Sequence, residues 1–287
     1  MKKMLIVSVV LGVLTGCLAA CAGTPDTTKS ITTTDTEKDD GVTTSEVITE
    51  ATSETDEATT TPVTNSLSGK KFLFLGSSVT YGSASGGYSM ADHLSATENC
   101  YVIKEAVSGT TLVDSGENSY VQRLFKSTKK YKNTKFDHVI VQLSTNDASK
   151  GKPLGKVSSS FEINDFDTTT VAGAIEYIIA LSKDTWNCDV SFYTGTKYEN
   201  KNYEMMVELL LEIQEKWDIG VIDLYNDPEM NDVSSSDYER YMDDPRHPTR
   251  VGYEEWWTPK FKEHLEKYQY MREGKPCNMK RKEMACL

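Results

Sequence analysis

The sequence predicts a flavodoxin-like, three-layer α/β/α sandwich built on a five-stranded parallel sheet. Three observations carry this expectation. Five short apolar runs, Phe72–Leu75, Tyr101–Lys104, His138–Leu143, Val190–Thr194 and Val221–Leu224, include several too continuously apolar for an antiparallel sheet with one wet face. Segments with helical spacing lie between or after them: Val171, Ala174, Ile175, Ile178 and Leu181, then Met206, Leu209, Leu210, Ile213 and Trp217. A last pattern runs Val251, Trp256, Trp257, Phe261, Leu265 and Tyr268. Strand and helix alternating in this way imply parallel strands with helices on both faces. Right-handed crossovers then bring every strand C-terminus to one edge.

The elements outside this domain are read from composition. Met1-Lys2-Lys3 and the apolar segment Met4–Leu14 form a basic start and a short hydrophobic core, the pattern of a secretory signal. Two sites follow, Leu14-Thr15-Gly16-Cys17 and Leu18-Ala19-Ala20-Cys21, and both resemble the bacterial lipoprotein signal. That resemblance implies a diacylated cysteine as mature N-terminus. Cys21 is the favoured lipidation site, Cys17 the alternative, and residues 1–20 are the expected signal peptide. Residues 21–67 are rich in Thr, Ser, Asp and Glu and hold no aromatic residue. Such a segment has too little apolar surface to offset the entropy of ordering it, so it is expected to be a disordered acidic tether. The chain is thus expected at the extracytoplasmic face of a bacterial membrane, held by its lipid.

Residues 68–272 suit one α/β domain in length, and 273–287, with Lys280-Arg281-Lys282, are expected to be a C-terminal tail. The formal net charge of −12 becomes −14 when Lys2 and Lys3 leave with the signal. No basic patch interleaved with aromatics is present, which argues against nucleic acid as a partner. Cys100, Cys188, Cys277 and Cys286 form no CxxC pair, so no zinc site is expected. An exported domain permits disulfides, and Cys277 with Cys286 would close a small loop. Sequence does not decide whether Cys100 meets Cys188.

Four loops at the expected C-terminal edge carry the chemistry. Gly76-Ser77-Ser78-Val79-Thr80-Tyr81-Gly82 follows the first strand and Ala106-Val107-Ser108-Gly109-Thr110-Thr111 the second. Ser144-Thr145-Asn146-Asp147 follows the third, and a long connection after the fifth ends Asp243-Asp244-Pro245-Arg246-His247-Pro248-Thr249. A serine in a glycine-bounded turn is, alone, only a turn residue. Ligands bind outside strand C-termini in open α/β sheets, so these loops share one crevice. Together they supply the parts of a hydrolytic site.

With these residues in view, the chain resembles the SGNH hydrolases, also called the GDSL family of esterases and lipases. The segment around Ser78 resembles the Gly-Asp-Ser-Leu block, which implies Ser78 as nucleophile. Gly109 and Asn146 match the second and third blocks, which implies an oxyanion hole of the Ser78 and Gly109 N–H groups and the Asn146 amide. Asp244 and His247 match the Asp-x-x-His block and would complete the triad. Two positions depart from the family pattern: Ser77 replaces the usual Asp, and Ser144 replaces the usual Gly of the third block. The residue roles follow general principles. A serine hydroxyl needs a base within hydrogen-bond reach, histidine titrates near neutral pH, and the acid orients its ring.

The resemblance implies an esterase acting without metal or organic cofactor on an acylated small molecule or polysaccharide, with O-acetyl groups on extracellular carbohydrate favoured. A lipase or lysophospholipase, and a non-catalytic glycan-binding lipoprotein, are the alternatives. Asp147 is read as a brace for its loop and Asp243 as an exposed neighbour. His93, His138 and His264 are read as structural or solvent-facing, and at least one of Trp256 and Trp257 as core. Loop position alone places Tyr81, Tyr88, Thr110 and Tyr120 along the crevice, with Asn118 and Arg123 as substrate contacts.

Overall fold

The computed structural model describes residues 66–272. The expected signal peptide, Cys17, Cys21, nearly all of the tether, the C-terminal tail and Cys277 with Cys286 lie outside the described residues. Leu67, read from sequence as the end of the tether, is fully buried in the domain core.

β1 (Lys71–Gly76), β2 (Tyr101–Ala106), β3 (His138–Gln142), β4 (Asp189–Tyr193) and β5 (Gly220–Ile222) form one sheet in the order β2-β1-β3-β4-β5. Every pairing in it is parallel, as the alternation requires. Each strand coincides with one of the five apolar runs to within a residue or two. The apolar residues of a strand divide by parity between two layers. Leu73 and Leu75 of β1, with Val139, Val141, Val190 and Phe192, pack in a core completed by α3 (Tyr120–Lys130), α5 (Val171–Trp186) and α6 (Lys201–Trp217). Phe72 and Phe74, with Ile140, Tyr193 and Ile222, face α2 (Met90–Thr97) and the C-terminal α9 (Thr258–Arg272). Both faces are covered, which explains the unbroken apolar strands.

The strand order fixes where a site can form. β2 lies on one side of β1 and β3 on the other, so the chain reverses direction across the sheet there. A crevice opens outside the C-terminal ends of β1 and β3 at this switch point. α1 (Ser78–Tyr81) starts just after β1 and α4 (Thr145–Ser149) just after β3, so Ser78 and Asn146 flank it. After β5 come α7 (Pro228–Asn231) and α8 (Ser235–Tyr241), then a small antiparallel hairpin of β6 (Met242–Asp244) and β7 (His247–Pro248). A π-helical turn over Gly252–Trp257 leads into α9, and Trp256 and Trp257 are both buried in it.

Cys100 and Cys188 are buried in the cores on opposite faces of the sheet, so they do not meet. The two histidines at the far end of the sheet share one partner. The Ser191 hydroxyl lies 2.7 Å from His138 Nε2 and 2.8 Å from His264 Nε2. Burial, helped by the nearby Lys267 charge, pushes His264 down to about 3 from an ordinary 6.5. The unfolded chain therefore binds a proton here that the folded chain refuses. The resulting stability is complete above about pH 6.5 and declines towards pH 3, by at most about 1.4 kcal/mol per unit from this group. Urea unfolding between pH 7 and pH 4 should show this slope, and His264→Asn should flatten it.

Candidate active site

The turn that carries Ser78 is shaped by what lies beneath it. A side chain on Gly76 would place its Cβ 1.6 Å from Thr80 Oγ1, so only glycine lets β1 end against the next turn. Gln142, the last residue of β3, points its amide oxygen into that turn. The oxygen accepts from Ser77 N–H at 2.8 Å and Thr80 Oγ1–H at 2.9 Å, with longer contacts of 3.3 Å to Thr80 N–H and Ser77 Oγ. Backbone N–H groups only donate, which fixes the orientation of this amide. Tyr193 on β4 braces Thr80 from the side, with 2.6 Å between hydroxyls. The Tyr253 hydroxyl, from the π-helical turn, donates to the Val79 carbonyl at 2.7 Å. Ser77, where the family pattern has Asp, is fully buried and spends both its donors on Gln142.

The Asp-x-x-His segment is a tight hairpin turn. Asp244 and His247 stand opposite each other across it, with Pro245 presetting the first turn residue. One carboxylate oxygen of Asp244 accepts from the N–H groups of Arg246 at 2.7 Å and His247 at 3.1 Å. The other accepts from His247 Nδ1 at 2.7 Å. The same carboxylate thus closes the turn and orients the ring. A carboxylate has no proton to give, so Nδ1 carries the hydrogen and Nε2 presents its lone pair. That lone pair faces Ser78 Oγ at 2.7 Å. Partial burial works to raise the Asp244 pKa, but the His247 ring and the two N–H groups outweigh it and hold the carboxyl below its ordinary value. Asp243 is exposed.

The third loop grips the second. Asp147, buried, accepts from Leu112 N–H at 2.7 Å and Val113 N–H at 3.1 Å. Asn146 Nδ2 donates to the Thr110 carbonyl at 3.0 Å, and Lys150 Nζ to the Gly109 carbonyl at 2.7 Å. Asn146 has a second amide hydrogen left over, and Gly109 turns at φ +77°, a conformation that favours glycine. Ser144, where the family pattern has Gly, sits at φ −75° and caps α4 through Asp147 N–H, so no glycine is needed there.

Two residues placed by loop position, Tyr120 along the crevice and Arg123 as a substrate contact, lie elsewhere. Tyr120 is fully buried in the core rather than along the crevice. Arg123 is also buried. Nε donates to the Asn118 carbonyl at 2.9 Å, one terminal nitrogen to the Gly76 carbonyl at 2.7 Å, and the other to the Glu105 carbonyl. It ties the ends of β1 and β2 to α3, with its charge spent on backbone oxygens. Among the described residues no group of three His, Cys, Asp or Glu side chains is placed to hold a metal ion. An open cleft of about 530 Å³ lies beside the hairpin turn, with Ser149, Asn200, Tyr198 and Arg246 among its lining residues.

The model of the GDSL-like lipase/acylhydrolase family matches residues 74–255, which take in all four loops. The chain belongs to this family. Among solved structures, one is 22% identical, covering 72% of this chain and 98% of its own, with a TM-score of 0.53. A Lactobacillus plantarum protein is 18% identical, covering 73% and 99%, also at 0.53. A family two carbohydrate esterase from Cellvibrio japonicus is 16% identical, covering 70% and 63%, at 0.47. The first two likenesses bear on the fold alone. No curated protein matches the sequence.

Sequence reasoning missed Gln142, Tyr193 and Tyr253. The signal for Gln142 was a lone amide closing an apolar strand; the two tyrosines gave none, because tyrosine is common in cores. Gln142→Leu leaves two buried N–H groups and two hydroxyls without their acceptor and should cost about 2–4 kcal/mol in urea unfolding. In an NMR titration, the Asp244 carboxyl should ionise below 3.8 in the native protein and move towards that value in His247→Ala.

Proposed function

We propose that the protein is a serine esterase that hydrolyses carboxylic esters, O-acetyl esters of carbohydrate foremost, by a Ser78–His247–Asp244 mechanism. The observation that carries this is the unbroken hydrogen-bonded chain from Ser78 Oγ through both nitrogens of His247 to Asp244, at 2.7 Å for each step. In this mechanism Nε2 takes the hydroxyl proton as Oγ attacks the ester carbonyl. Asp244 stabilises the imidazolium, which then protonates the departing alcohol. The charge formed on the carbonyl oxygen is met by the free Asn146 amide hydrogen and the N–H groups of Gly109 and Ser78. Water, activated by His247, releases the acid from Ser78.

Ser149, Lys197, Glu199, Asn200 and Arg246 line the cleft beside the turn, and donors and acceptors of this kind suit a hydroxyl-rich alcohol more than a long acyl chain. Tethering through Cys21 would place this activity at the outer face of a membrane, where acylated polysaccharide is met. Growth with labelled fatty acid should label the protein, and Cys21→Ala should abolish the label and release the domain. Should the label persist in Cys21→Ala and vanish in Cys17→Ala, the anchor is Cys17.

Hydrolysis of p-nitrophenyl acetate tests the chemistry. Ser78→Ala and His247→Ala should each lower kcat by about 10³-fold or more. Asn146→Ala should lower it by about 10²–10³-fold. Rates should fall from acetyl to longer acyl esters. Turnover unaffected by Ser78→Ala would contradict the mechanism, and a preference for long chains would favour the lipase alternative.

A further inference from the structure

The turn that carries Gly109 lies at the surface, and polar side chains from two other loops hold it in place. Thr110 N–H donates to the Val107 carbonyl at 3.4 Å, which closes a turn over residues 107–110. Gly109 sits at φ +77° and Ser108 before it has no positive φ, the pattern of a type II turn. Ser108 and Gly109 are both exposed, and a Cβ on Gly109 would meet nothing within 4 Å. Packing therefore does not fix the tip of this turn, and glycine lends it no stiffness of its own.

On one side the holding groups come from α4 and its end. Lys150 N–H donates to the Asn146 carbonyl at 3.0 Å, so the two residues stand one helical turn apart on the same face. Their side chains grip successive carbonyls of the turn: Asn146 Nδ2 that of Thr110 at 3.0 Å, and Lys150 Nζ that of Gly109 at 2.7 Å. Lys150 is exposed, and among the described residues its ammonium has no ion pair and no other hydrogen-bond acceptor. On the other side the contact comes from the segment that follows Ser78, where Ser83 Oγ lies 2.6 Å from Ser108 Oγ. Among the described residues no protein group accepts from the Gly109 N–H itself. The turn is thus tied down through its carbonyls and its serine hydroxyl, while the N–H at its tip stays available to a ligand.

An oxyanion hole works only when its donors all lie about 2.7–3.1 Å from one point. The Ser78 N–H, the Gly109 N–H and the Asn146 amide belong to three different loops, so a slip of one loop lengthens one bond. We propose that Lys150 and Ser83 are positioning residues for this hole. Ser83 registers the 107–110 turn to the Ser78 segment and Lys150 registers it to the Asn146 segment, and both act through Gly109 rather than on the ester. The inference rests on the esterase reading and adds two residues that lie outside the four sequence blocks.

Kinetics on p-nitrophenyl acetate and affinity for methylboronic acid test it together. A boronic acid forms a tetrahedral anion on a base-activated serine, so its affinity reads the oxyanion donors without turnover. Lys150→Met and Ser83→Ala should each lower kcat about fivefold to thirtyfold, with KM within about twofold of native. This is short of the about 10²–10³-fold that losing a donor outright costs. Boronate affinity should fall by a similar factor, and Lys150→Arg, which keeps a charged donor, should retain most of both. A smaller folded fraction lowers kcat alone and leaves KM and boronate affinity native, so that result overturns the inference. An active native protein whose kcat is indifferent to both substitutions also overturns it, and leaves the esterase reading intact. A native protein inert to ester and boronate alike defeats the esterase reading. NMR with labelled glycine nitrogens then decides the turn by itself. A Gly109 amide resonance that is sharp in the native protein and in Lys150→Arg but broadened in Lys150→Met supports the holding role, and one identical in all three overturns it.

Discussion

The amide oxygen of Gln142 is the point on which the site depends. It lies at the end of a central strand and receives the first N–H and two hydroxyls of the turn that carries Ser78. A turn at a strand exit normally leaves its N–H groups to water. Here the turn is buried, and without an internal acceptor each such group costs about 1–3 kcal/mol. Satisfying them from β3 makes Ser78 part of the sheet rather than part of a loop. Tyr193 and Tyr253 extend the same support to Thr80 and Val79, from β4 and from the π-helical turn. A π-helical turn at such a position displaces one ring by a fraction of a helical turn, a common device beside functional sites.

The other half of the site needs less support because it is local. Asp244, Pro245, Arg246 and His247 form a self-closed turn whose carboxylate holds both backbone and ring. Its geometry is set within four residues, and the tertiary fold has only to bring it to Ser78. The loops of Gly109 and Asn146 are fixed in a third way, by a buried carboxylate gripping the backbone of a neighbouring loop. The three devices converge at the switch point between β1 and β3, where the parallel sheet opens a crevice.

Much of this was legible in the sequence, for physical reasons. Doubly covered strands must be apolar throughout, so the five runs stood out. A turn that orients its own histidine must keep a fixed spacing, so the Asp-x-x-His block that Asp244 and His247 match could be recognised in the sequence. Asp147 was readable as a brace because its loop already had a polar donor in Asn146. Arg123 and Tyr120 were misplaced because loop position gives no direction: both lie near the crevice in the chain, yet α3 turns them inward, where the arginine satisfies three carbonyls. Gln142 was read only as part of a strand, since the groups it serves lie 62 to 65 residues away. The cleft at Arg246 and Lys197 joins residues from separate connections, which spacing cannot reveal.

The central claim is that Ser78 forms a covalent acyl intermediate, and chemical trapping reads it without any choice of substrate. The native protein would be treated with a fluorophosphonate, which reacts with serines activated by a base, and the modified peptide identified by mass spectrometry. The account predicts a single adduct on Ser78 that fails to form in His247→Ala. An unmodified Ser78, or an adduct that forms equally well without His247, would contradict it.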